Sequence, residues 1–219
     1  MHFSRRHLLY SLAILFAVNA LVWGAVLPAP RQFLQSISQS SSAASASGPR
    51  VAVLLSAYSG TTTLNIATKD TGCTIQGPLP DSACTPGAVF ADATPAEICV
   101  PGYTKQVRSV STKLKKQLYA AYGIAYPPPT GSYELDHLVP LALGGSNDAA
   151  NLFPEAASPT PGFKEKDVVE VYLYGEMCAG HIDLAAAQAQ IAHNWVAVYQ
   201  ALDPSDIASL KAKYPSWSN

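Results

Sequence analysis

Apolar residues run almost unbroken from Leu8 to Leu27, behind a positive start at Arg5, Arg6 and His7. That run lacks a polar face and is about as long as the roughly 20 residues a bilayer-spanning helix needs. It predicts an export signal over residues 1–28, cleaved or kept as a membrane anchor, with "VNA" at 18–20 as a small-residue cleavage pattern. The next stretch, 29–49, carries the tract "SISQSSSAASASG", which has no rhythm and no charge. Such a composition buries too little apolar surface to offset its chain entropy and predicts a tether. One domain over 50–219 is then expected. Loose alternation in "RVAVLLSAYSGTTTLNIAT", 50–68, predicts a strand or hairpin. Residues 73–103, dense in Pro, Gly and Cys, read as loop.

Helical spacing begins at "STKLKKQLYAAYG", 111–123, where Ser111 or Thr112 caps, Leu114 and Leu118 sit four apart, and Gly123 stops the helix. "YELDHLVP" reads as a strand, "LALGGSNDAANL" as a glycine turn and return strand. "FKEKDVVEVYLYGEMCAG", 163–180, predicts a helix with two neighbouring apolar rows and Gly180 as terminator. "IDLAAAQAQIAHNWVAVYQAL", 182–202, is a second, capped by Asp183, with Leu184, Ala187, Ile191, Trp195 and Val198 at helical spacing. A short helix over 205–213 closes the chain. The class expected is α+β: a strand pair and a helix at the centre, flanked by further helices.

Charge changes this picture locally. From Arg50 onward the chain carries fifteen acids against eleven Lys and Arg, a net charge of −4, which excludes a uniformly basic nucleic-acid coat. Between Glu97 and Glu134, however, there is no acid, while Lys105, Arg108, Lys113, Lys115 and Lys116 are all basic. Four cysteines, Cys73, Cys84, Cys99 and Cys178, contain no CxxC pair, which argues against structural zinc. An even number behind an export signal indicates two disulfides. Of three pairings, Cys73–Cys84 with Cys99–Cys178 is the one expected, the second tying the basic segment to the C-terminal helices.

The chemistry concentrates in "YELDHLVPLALGGSNDAANLF", 133–153. A neutral imidazole, with an unperturbed pKa near 6.5, suits activation of water. An adjacent carboxylate suits a hard cation that neutralises a phosphate. The pattern DHxxPxxxGGxxxxxNL, followed by "KDVVEVYL", resembles the HNH nucleases of the ββα-metal class over residues 133–173. A wider similarity, from "CTPGA" at 84 through "AQAQIAHNW", is to small exported HNH-like proteins. The resemblance implies a metal-dependent endonuclease acting on DNA, with RNA as a secondary substrate, leaving a 5′-phosphate and a 3′-hydroxyl. It implies His137 as general base, Asp136 on one divalent ion, and Asn151 bracing the loop and orienting the imidazole. Magnesium is the ion expected, with manganese, zinc or calcium as alternatives.

One departure stands out. The family's third signature residue, a His or Asn in the helix and usually a metal ligand, has no counterpart in "PTPGFKEKDVVE". Of Glu165, Asp167 and Glu170, Asp167 is the replacement expected; its plain alternative is an acid favoured near a helix N-terminus. Lys166 is a candidate phosphate contact, or a surface ion pair with Glu170 one turn on. Lys105, Arg108, Lys113 and Lys116 are candidates for the nucleic-acid backbone, near Tyr119 and Tyr122; their plain alternative is a solvated helix face over core tyrosines. His181, His193 and Trp195 read as structural. Two rivals stand beside the nuclease: a non-catalytic nucleic-acid or envelope-binding module, and another hydrolase using His137 with a carboxylate, against which the lack of GxSxG counts. A monomer is expected, secreted or held at the outer membrane face.

Overall fold

The structure, a computed structural model, describes residues 64–213. The export signal, the tether and most of the strand expected over 50–68 lie outside the described residues; 64–68, the described end of that stretch, contains no strand. Within the described residues the architecture is α+β, one two-stranded antiparallel sheet with six helices and two disulfides.

Two short helices, α1 (Pro95–Ile98) and α2 (Tyr103–Val107), interrupt the loop-rich first third. Helix α3 (Thr112–Ala121) starts where the Ser111 hydroxyl accepts the Leu114 N–H at 3.2 Å, satisfying one of the helix's orphan donors. The chain then forms β1 (Tyr133–His137), a long connection containing 3₁₀ turns at Leu141–Leu143 and Ala149–Asn151, β2 (Leu152–Ala156) and α4 (Phe163–Cys178). Helices α5 (Leu184–Ala201) and α6 (Pro204–Lys213) complete the order.

The hairpin register pairs Glu134 with Glu155, Asp136 with Phe153 and His137 with Leu152. Alternation along a strand therefore puts Glu134, Asp136, Phe153 and Glu155 on one face. Helix α4 packs against α5, α6 and the 3₁₀ turn Leu141–Leu143, with Lys166 reaching β1, which explains its two apolar rows: Val168, Val169, Val171, Tyr172, Leu173 and Met177 are all buried. Helix α5 bends at Asn194, whose backbone leaves the helical region and whose side chain accepts the Ala197 N–H at 3.1 Å, a cap inside the helix. Trp195 beside it is fully buried, as expected of a core residue.

Both expected disulfides form, Cys73–Cys84 and Cys99–Cys178. The second fastens the end of α1 to the end of α4, across 79 residues of sequence. Two disulfides fit an oxidising compartment. Among the described residues no helix is long and apolar enough to cross a membrane.

Candidate functional site

The loop between the strands is held by a residue that sequence reasoning placed beside the imidazole. Asn151 has no solvent exposure and makes four hydrogen bonds. Its Oδ1 accepts the N–H groups of Val139 (2.9 Å) and Ala88 (3.2 Å), and its Nδ2 donates to the carbonyls of Val139 and Ser146, both at 2.8 Å. Every donor and acceptor of the amide is engaged with backbone. Bracing of the loop is thus as expected, but orientation of the imidazole is not its task, because no bond joins it to His137. Gly145 lies so close to Val139 that a Cβ would sit 1.8 Å from the Val139 carbonyl oxygen. Gly144 supplies the left-handed φ of +73° that ends the first 3₁₀ turn. The glycine pair is needed for both reasons.

Asn147 orients the imidazole instead. Its Oδ1 accepts the Ser109 N–H at 3.1 Å and its Nδ2 donates to the Val107 carbonyl at 2.8 Å, so the amide has one consistent orientation. The same Oδ1 lies 3.2 Å from His137 Nε2, which must then carry the proton. The other ring nitrogen, Nδ1, is left as the basic one, with no hydrogen-bond partner among the described residues. It is not sealed either, and is not among the closed-off polar atoms without partners. Burial depresses the His137 pKa, more than neighbouring Asp136 raises it. The imidazole is therefore neutral at pH 7, the state a general base requires. Asn147 carries no signal in the sequence beyond being a polar loop residue, since the partners that orient it come from 38 and 40 residues away.

Beneath the hairpin lies Lys166, with no exposed side-chain surface. Its ammonium donates to Asp136 Oδ2 at 2.6 Å, to the His137 carbonyl at 2.7 Å and to Glu170 Oε1. All three ammonium protons are used. This corrects two readings. Lys166 is no phosphate contact, because a saturated buried ammonium presents nothing to solvent, and its pair with Glu170 is interior rather than superficial. Burial would lower the Lys166 pKa, but Asp136, Glu170 and Glu155 raise it well above the ordinary value. Burial likewise works against ionised Asp136, but the Lys166 ammonium together with a hydrogen bond from Glu155 outweighs it and holds that carboxyl below its usual value.

Around this pair is a concentration of acids. Glu134, Asp136, Asp167 and Glu170 line a cavity of about 460 Å³ together with Thr104, Arg108 and Pro140. Burial, reinforced by their mutual repulsion, pushes Glu134 and Glu170 up to about 7 and Asp167 up to about 8. Glu155, cross-strand from Glu134, is 1% exposed; burial drives its pKa far up, and the protonated carboxyl can then donate to Asp136. The signal for Glu134 and Glu155 was present in the sequence: a two-residue period puts position 134 on the face of 136, and pairing brings 155 opposite.

Of the basic candidates, the structure brings only Arg108 to this cavity. Its side chain is exposed and makes no hydrogen bond or ion pair among the described residues. Lys105 and Lys113 are exposed on α2 and α3, and the Lys116 ammonium sits 6.0 Å over the Tyr126 ring. Tyr119 and Tyr122 are buried, so neither offers a ring to a base. His181 pairs with Glu176 at 3.1 Å on the surface, away from the hairpin.

The divalent ion implied by the resemblance does not fit Asp136 and Asp167 as they stand. Asp136 Oδ1 accepts the His137 N–H at 2.7 Å and Oδ2 accepts from the Lys166 ammonium, so both oxygens already face positive groups. Among the described residues no three of His, Cys, Asp and Glu are grouped to hold a metal ion. No family model matches the chain, and neither a curated protein nor a solved structure matches it.

Proposed function

We propose that the chain is a phosphodiester hydrolase acting on DNA, an HNH-like nuclease whose general base is His137. The observation that carries this reading is the fixed tautomer: Asn147 holds the proton on Nε2 and leaves Nδ1 basic at the end of β1. In the proposed reaction water attacks phosphorus, its proton passes to Nδ1, the ester P–O bond breaks, and the departing oxygen takes a proton from solvent. Arg108 is the cation available to a phosphate, and a guanidinium matches phosphate oxygens in a bidentate way.

The acidic cavity must not repel such a substrate. Its charge is moderated because Lys166 offsets Asp136 and pairs with Glu170, while Glu134 and Asp167 keep much of their proton near neutral pH. A net-acidic chain with one exposed arginine at the site favours loose, sequence-independent contact with the backbone.

Nicking of supercoiled plasmid is the test, with His137→Ala and Arg108→Ala alongside. Nicking lost in His137→Ala and weakened, with a shallower salt dependence, in Arg108→Ala supports the reading. The rival, a nucleic-acid or envelope-binding module without catalysis, is favoured by the lack, among the described residues, of three grouped His, Cys, Asp or Glu ligands. Binding without cleavage by the unaltered chain would establish it in place of the nuclease.

A further inference from the structure

We infer that the Lys166 ammonium is the resident cation of the hairpin–helix centre and that it stands in the place of a divalent ion at Asp136. The inference deepens the hydrolase reading, on which its catalytic consequence rests. Three oxygens converge on Nζ: a carboxylate from β1, a carboxylate from α4 one turn beyond the lysine, and the backbone carbonyl of His137. Two carboxylates and a carbonyl are the donor set of a hard cation. With the lysine in place its ammonium occupies all three oxygens, and no further protein oxygens among the described residues complete the roughly six ligands of magnesium or the six to eight of calcium.

The lysine cannot step aside for an ion. Its side chain has no exposed surface and lies among buried residues of α4 and β1, so withdrawal would leave Asp136 and Glu170 unpaired in the interior. Breaking such a buried pair is strongly destabilising, because it leaves an uncompensated charge away from water. The arrangement also gives Lys166 a positioning task. By holding the carbonyl of His137 and the carboxylate of Asp136 together, it pins the backbone on either side of the base. A permanent charge on a rigid helix performs for this backbone what a bound ion would, without dependence on metal supply. Hydrolysis at His137 then recruits no divalent ion to Asp136 and leaves charge on the phosphate to Arg108.

The test compares the unaltered chain with Lys166→Ala, titrating each with Mn²⁺ and reading binding by electron paramagnetic resonance. Lys166→Ala empties the cage while keeping its three oxygens. The expected result is no Asp136-dependent Mn²⁺ binding in the unaltered chain. Lys166→Ala should gain a site at least about tenfold tighter than any background binding, lost again when Asp136→Asn is added. Plasmid nicking by the unaltered chain should proceed equally in magnesium and in EDTA. Mn²⁺ binding by the unaltered chain that Asp136→Asn removes, or nicking abolished by EDTA, overturns the inference. So does a folded Lys166→Ala that gains no site. If Lys166→Ala does not fold, the two measurements on the unaltered chain decide. A chain that never nicks defeats the hydrolase reading alone, because the Mn²⁺ comparison still stands.

Discussion

Replacing Asn151 by Ala separates structural bracing from catalysis at this site. The amide satisfies four buried backbone groups, the N–H of Val139 and Ala88 and the carbonyls of Val139 and Ser146. Each hydrogen bond contributes roughly 1 kcal/mol net, and each group left dry and unpaired costs about 1–3 kcal/mol. A water entering the vacated space would recover part of that loss, so the expected destabilisation is about 3–5 kcal/mol. That is a large share of the roughly 5–15 kcal/mol typical of a domain. Urea unfolding followed by far-UV circular dichroism, with fluorescence of buried Trp195 as second probe, measures it. Asn151→Asp should be worse than Asn151→Ala. The carboxylate keeps the two accepted bonds but turns its second oxygen toward two carbonyls, burying an anion against lone pairs. A loss below about 1 kcal/mol in Asn151→Ala, or nicking abolished with stability intact, would refute the reasoning and return Asn151 to the chemistry.

Asn147→Ala should show the opposite profile, with nicking about 10- to 100-fold slower because the imidazole tautomer is no longer fixed, and stability reduced by only about 1–2 kcal/mol. Gly145→Ala should destabilise by at least about 3 kcal/mol in the same unfolding assay, since its Cβ meets the Val139 carbonyl at 1.8 Å. Gly123→Ala, at φ +67° but with open space around it, should cost only about 1 kcal/mol. Stability should fall as pH rises from about 6.5 to 8. Glu134, Glu170 and Asp167 hold protons up to about 7, 7 and 8 in the fold, whereas the unfolded chain releases them near 4. Below about 6.5, depressed His137 runs the other way, since the unfolded imidazole takes a proton that the folded one refuses. Melting temperature across this range checks the slope, and Asp167→Asn should flatten it and raise stability at pH 8.

The sequence by itself determined the longer elements and their order, but not the short α1 and α2, which lie within and just beyond a stretch read as loop. Helices at 112–121, 163–178 and 184–201 follow from capping residues and spacing, which are local properties of the chain. The Asp136–His137 pair and the glycine turn were legible for the same reason. The even cysteine number pointed to two disulfides, whereas the choice among three pairings was decided by the fold. Only the tertiary structure decided what the site residues do. Lys166 reads as a surface cation because its neighbours in sequence are charged, yet it and Glu170 lie on the side of α4 that packs into the interior and are buried. Asn151 and Asn147 are chemically identical. Their tasks differ because segment 87–90 runs beside the first and the end of α2 beside the second. Local pattern fixes which groups the chain carries, whereas long-range packing fixes which of them meet, and burial then decides which hold a charge.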